Sequence, residues 1–125
     1  MNDSTTHRDL AAWREAMVLV ETIYRHTASF PNEEIYGLTS QIRRAAVSVP
    51  SNIAEGAARN SSRELLQFLG IACGSLAELD TQLDLAVRLG YLNAGSEVIN
   101  QMTRVGVLVR YLRKSIRIKN EEVRK

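Results

Sequence analysis

Gln41-Ile42-Arg43-Arg44-Ala45-Ala46-Val47-Ser48-Val49-Pro50-Ser51-Asn52-Ile53-Ala54-Glu55-Gly56 is the stretch that decides the fold. Gln41, Arg44, Ser48, Asn52, Glu55 and Arg59 recur at three- and four-residue intervals, so all six share one face of a helix. An apolar stripe of Leu38, Ile42, Ala45 and Val49 runs beside them. Pro50 stands near the centre of this helix, where its missing N–H leaves the carbonyl of Ala46 without a donor. Ile53 and Ala57 keep the apolar side going beyond it, which predicts a bend and not a break.

Outward from this helix the same periodicity continues in both directions. Leu10, Trp13, Met17, Val20, Tyr24 and Thr27 predict a first helix over about 9–29, started by a loose Thr6/Asp9 capping box and stopped at Phe30-Pro31. The second helix is expected over 33–59, with Glu33 and Glu34 at its positive end and Ile35 in its seam. Ser61-Ser62-Arg63-Glu64 is a capping box opening a third helix over 61–89, with Leu65, Leu69, Ala72, Leu76, Leu79, Leu83 and Ala86 as its seam and Gly90 as its left-handed cap. Gly70 and Gly74 inside it each cost roughly 1 kcal/mol relative to alanine, which predicts close approach of another backbone. The fourth helix, over 94–119, carries Val98, Met102, Val105, Val109, Leu112 and Ile116. A second apolar edge, Leu108, Tyr111 and Ile118, widens its face beyond the needs of one seam. Four such helices joined by short loops describe an all-α, antiparallel up-down four-helix bundle filling residues 1–125 as a single domain.

Composition agrees. Apolar residues make up 45% of 125 residues, enough for one core, and charged residues 24%. The single cysteine, Cys73, excludes an internal disulfide and reads as a small core residue. The polar start of the chain lacks the apolar core of a secretion signal, and no apolar run is long enough for a bilayer; the expectation is a cytoplasmic protein with no membrane partner.

The quoted stretch, above all Gln41-Ile42-Arg43-Arg44-Ala45 and Ser48-Val49-Pro50-Ser51-Asn52-Ile53-Ala54-Glu55-Gly56, resembles a known family. Leu10, Trp13, Phe30-Pro31, Tyr36-Gly37-Leu38-Thr39, Phe68-Leu69, Gly74-Ser75 and Glu78-Leu79 extend the likeness over nearly the whole chain. The family is that of small four-helix bundles first noticed as reading frames within intervening sequences of large-subunit ribosomal RNA genes. The accessory variability determinants of diversity-generating retroelements are similar to it. The resemblance implies a homopentameric barrel and non-catalytic work in binding RNA or DNA. In the retroelement relatives a basic barrel serves a reverse transcriptase and its template RNA.

The polar stripe itself has two readings. Gln41, Arg44, Ser48, Asn52 and Glu55 would face Ser75, Glu78 and Gln82 of the third helix, forming a hydrogen-bonded seam that fixes register, with Arg44 pairing Glu55 or Glu78. Alternatively Glu55 and Glu78 form an acid–base pair or metal site. Di-metal bundles use Glu-x-x-His on two helices, and neither His7 nor His26 lies three residues after a glutamate. No phosphate loop, nucleophile elbow or zinc spacing is present. The expectation is therefore no enzyme, no metal and no cofactor.

Charge is unevenly placed. Residues 104–125 hold eight Lys and Arg against Glu121 and Glu122, a net +6, whereas residues 1–103 hold eight against twelve acids, a net −4. Arg110, Arg113, Lys114 and Arg117 crowd one side of the fourth helix, Lys119 extends them, and Arg43, Arg59 and Arg63 add charge from mid-chain. Repeated around a ring of five, this surface would bind phosphates by counterion release. Tyr91 and Tyr111 are the few aromatics available for base stacking, so recognition would be weakly sequence-specific. The competing reading is an oligomeric scaffold whose surface recruits a protein partner such as a polymerase.

Overall fold

The computed structural model describes residues 6–124. It is an all-α protein of four helices, α1 (Ala11–Thr27), α2 (Leu38–Ala57), α3 (Ser62–Arg88) and α4 (Glu97–Arg124), with short 3-10 turns at His7–Asp9 and Asn32–Glu34. Among the described residues there is no strand.

Local chemistry sets several of the helix ends by satisfying free backbone groups. The Thr6/Asp9 box forms, but it caps the 3-10 turn: Thr6 Oγ1 accepts from Arg8 N at 3.2 Å and Thr6 N donates to Asp9 Oδ2 at 2.9 Å. Leu10 is then extended, so α1 starts only at Ala11. In the same way Glu33 and Glu34 lie in a 3-10 turn and α2 waits until Leu38. Glu34 reaches over the intervening turn, its Oε1 accepting from Leu38 N at 3.2 Å. A Cβ on Gly37 would come within 3.0 Å of that oxygen, so glycine leaves the carboxylate its room.

Pro50 is buried inside α2, which runs unbroken through it. Ser61 caps α3 by accepting from Glu64 N at 3.2 Å, and its hydroxyl donates to Glu64 Oε1 at 3.2 Å. The far end of α3 closes as a Schellman motif: Gly90 takes φ +82, Gly90 N donates to Val87 O, and Tyr91 N donates to Ala86 O at 2.8 Å. Ser96 Oγ accepts from Val98 N to start α4, which extends past the expected 119.

Contacts run α1 to α2, α2 to α3, α3 to α4 and α4 to α1, so each helix has two helical neighbours. Leu19, Ile23, Ile42, Val49, Ile53, Leu69, Leu79, Leu83, Val98, Val105 and Val109 fill the space between them. The α1 seam differs from the spacing-based reading. Ala12, Ala16, Leu19 and Ile23 face inward, whereas Met17 and Tyr24 are exposed. Small alanines bring α1 close to its neighbours, and the larger side chains one position away turn to its flank. Close backbone approach also occurs elsewhere than expected. A Cβ on Gly56 of α2 would meet Phe68 Cβ at 2.8 Å and Leu65 Cδ1 at 3.0 Å, so α2 and α3 touch there. Gly70 meets the side chain of Arg113 instead of a backbone, and Gly74 faces open space.

Candidate nucleic-acid interface

The basic half of α4 divides by where its side chains go. Arg113 is half-buried against α3, with Nη2 3.3 Å from where a Cβ on Gly70 would stand; its Nε is buried without a hydrogen-bond partner. Arg110 folds back along its own helix over Gly106 and borders a groove shared with Cys73, Ala77 and Asp80 of α3. Lys114, Arg117 and Lys119 are exposed. Lys114 sits in the stripe of Val107, Tyr111 and Ile118, which are also exposed. Among the described residues none of these five cations is in an ion pair, whereas Arg104 pairs with Glu15 of α1 at 3.0 Å. Lys125 lies outside the described residues, as do Met1–Thr5 of the polar start.

The mid-chain arginines are more committed. Arg43 donates through Nε to Thr27 Oγ1 at 2.9 Å and through Nη2 to Tyr24 O at 3.4 Å, and its guanidinium lies 4.5 Å from the Tyr24 ring centre. It thus neutralises the carbonyl end of α1 and ties it to α2. Arg59 is held by Glu55 at 3.5 Å and lies over the Phe68 ring at 4.9 Å. Arg63 is exposed in the first turn of α3. Of the eight cations singled out from the sequence, the structure leaves Arg63, Lys114, Arg117 and Lys119 most open to an outside ligand.

The polar stripe of α2 condenses into a short bonded unit and an exposed rim. Ser48 Oγ and Ser75 Oγ are 2.7 Å apart, and Asn52 Nδ2 donates to Ser48 O at 2.8 Å and Ser48 Oγ at 2.9 Å. Gln41, Arg44 and Glu78 line an open groove beside this unit. The carboxylate of Glu55 goes to Arg59, not to Arg44. Gln82 is buried with its Oε1 unpartnered.

Several cross-helix polar contacts carry no spacing signal in the sequence. Tyr91 OH donates to Glu34 Oε2 at 3.0 Å, and donating that bond to a carboxylate raises the pKa of the Tyr91 phenol above its ordinary value. His26 Nε2 lies 3.0 Å from Glu97 Oε1, with Arg25 at 3.7 Å; the bond from His26 holds the Glu97 carboxyl below the usual carboxylate range. A glutamate in the first turn after a serine cap was the one available hint for Glu97.

Among the described residues no helix is long and apolar enough to cross a membrane. An exposed row of cations on rigid helices can hold the backbone of an anionic polymer without reading its sequence. No curated protein matches the chain. The description of 23S rRNA-intervening sequence proteins matches it over residues 8–110, the whole of α1 to α3 and the first half of α4. The chain therefore belongs to the 23S rRNA-intervening sequence protein family.

Proposed function

We propose that this chain is a cytoplasmic, non-catalytic, self-associating protein that binds RNA through its phosphates, at Arg63, Arg110, Lys114, Arg117 and Lys119. The observation that carries the reading is that Arg110, Lys114, Arg117 and Lys119 of α4 stand in no ion pair among the described residues, in a chain whose family is tied by name to ribosomal RNA. The family likeness supports assembly of five copies, which would repeat this charge around a ring. An antiparallel, up-down course of the helices is supported by the contacts Glu15–Arg104, His26–Glu97, Ser48–Ser75 and Gly70–Arg113. The non-catalytic reading is supported by Glu55, an exposed carboxylate already committed to Arg59.

Replacing Arg110, Lys114, Arg117 and Lys119 together by glutamine tests the proposal. The expected result is loss of RNA retention at low salt with an unchanged helical circular-dichroism spectrum. Wild-type binding should itself fall steeply with salt. Full binding by the fourfold variant overturns the proposal. A protein-recruiting scaffold is the second reading, favoured by the exposed Val107, Tyr111 and Ile118 around Lys114. It would give partner binding that salt barely weakens.

A further inference from the structure

Two surfaces of the molecule are left unsatisfied, and they match. The first is a groove between α1 and α2, lined by Tyr24, Ile35, Arg43, Arg44 and Val47. Its apolar members are exposed, Ile35 at 52%, and no acid lines it among the described residues. Arg43 is spent on Thr27 and Tyr24, which leaves Arg44 as the available charge. The second is the outer stripe of α3: Ile71, Gly74, Glu78, Leu85 and Leu89, at helical spacings of three, four and seven. Ile71 is 51% and Leu89 55% exposed, and Glu78 is exposed.

Gly74 is the second, independent observation. A glycine within a helix is less favourable than alanine, and an added Cβ here would meet nothing within 4 Å. Packing within the chain gives no reason for it. The approach of a neighbouring helix backbone does. Arg44 and Glu78 line one groove of the same chain, yet among the described residues they form no ion pair.

We infer that the α3 stripe of one copy seats in the α1–α2 groove of the next, with Glu78 meeting Arg44 and Gly74 letting the backbones close. The inference rests on the self-association proposed above and names its contact. A second copy fits better than RNA, because Glu78 would repel phosphate. The two surfaces differ, so the contact is heterologous and propagates until it closes as a ring or runs on as a filament.

Light scattering of the full chain over a range of concentrations tests it. Arg44→Glu alone and Glu78→Arg alone should each weaken association, roughly tenfold or more, by opposing like charges. Mixing the two variants in equal amounts should restore most of it, because each contact between unlike variants then joins opposite charges and a ring of five keeps a single like pair. Gly74→Leu should keep a melting temperature at least equal to wild type in dilute solution, yet yield smaller particles. Single variants of wild-type mass, or a mixture that restores nothing, overturn this interface and leave self-association standing. A wild-type chain that is monomeric at every concentration overturns both. Loss of RNA binding with mass unchanged assigns the groove to nucleic acid and also overturns the inference.

Discussion

The hydroxyls of Ser48 on α2 and Ser75 on α3 lie 2.7 Å apart, and Asn52, one turn along, donates both to Ser48 Oγ and to its carbonyl. This unit converts the polar stripe into a register lock, because sliding either helix separates the serines. Asn52→Leu removes both donated bonds and should lower unfolding free energy by about 1–3 kcal/mol. Urea denaturation gives the change directly. RNA binding per folded molecule should move far less than stability does, and the reverse pattern would assign the stripe to ligand binding.

Gly56 marks a close approach of α2 to α3, the tightest at any described glycine. Gly56→Ala places a methyl 2.8 Å from Phe68 Cβ, and neither helix can yield without disturbing the buried Ile53 and Leu69 beside it. Overpacking of this kind costs about 1–3 kcal/mol, although alanine is the better helix former. The shift of the urea midpoint measures it. Gly74→Ala, facing open space, is the matched control and should not destabilise the isolated chain.

Arg113 and Arg117 stand one turn apart and should behave oppositely. Arg113→Ala removes the side chain packed against Gly70 and should lower stability while changing RNA affinity little. Arg117→Gln should leave the melt unchanged. If it contacts phosphate in a single strand, it should reduce the slope of log affinity against log salt by about 0.7. A salt titration of each variant separates the two roles.

Glu97 ties its stability contribution to pH. Its carboxyl is held below the ordinary value of 4.5 by the bond from His26, with Arg25 acting in the same direction. The unfolded chain therefore takes up that proton first as pH falls. The contribution is complete above the ordinary value and disappears as pH drops through the lowered one. Melting curves of wild type and Glu97→Gln should differ slightly at neutral pH and converge in acid. A difference that persists below the carboxylate range would show that the bond is not ionic.

Periodicity was enough to place four helices, because apolar residues at three- and four-residue spacing leave few alternatives to a bundle. It read the seams of α3 and α4 well, where large residues such as Leu69, Leu79 and Val105 occupy the core. It read α1 only in part: Leu10, Trp13 and Val20 pack against the core and Thr27 is buried, but Met17 and Tyr24 are exposed, and the small Ala12 and Ala16 sit in the core where hydrophobic size gave no signal. The basic cluster of α4 was visible as composition. Which of its members turn inward was not, because Arg113 packs half-buried over Gly70, a residue from another helix. Arg43 was likewise legible as a charge and not as a tether to Tyr24 and Thr27.

Tyr91 joins two events distant along the chain. Its amide completes the stop of α3 by donating to Ala86 O, and its phenol steadies Glu34, whose other oxygen holds the first amide of α2. Opening either end exposes the other, so the amide protons of Leu38 and Tyr91 belong to one exchange unit. In deuterated water they should be replaced at a common rate in the wild type and at separate rates in Tyr91→Phe.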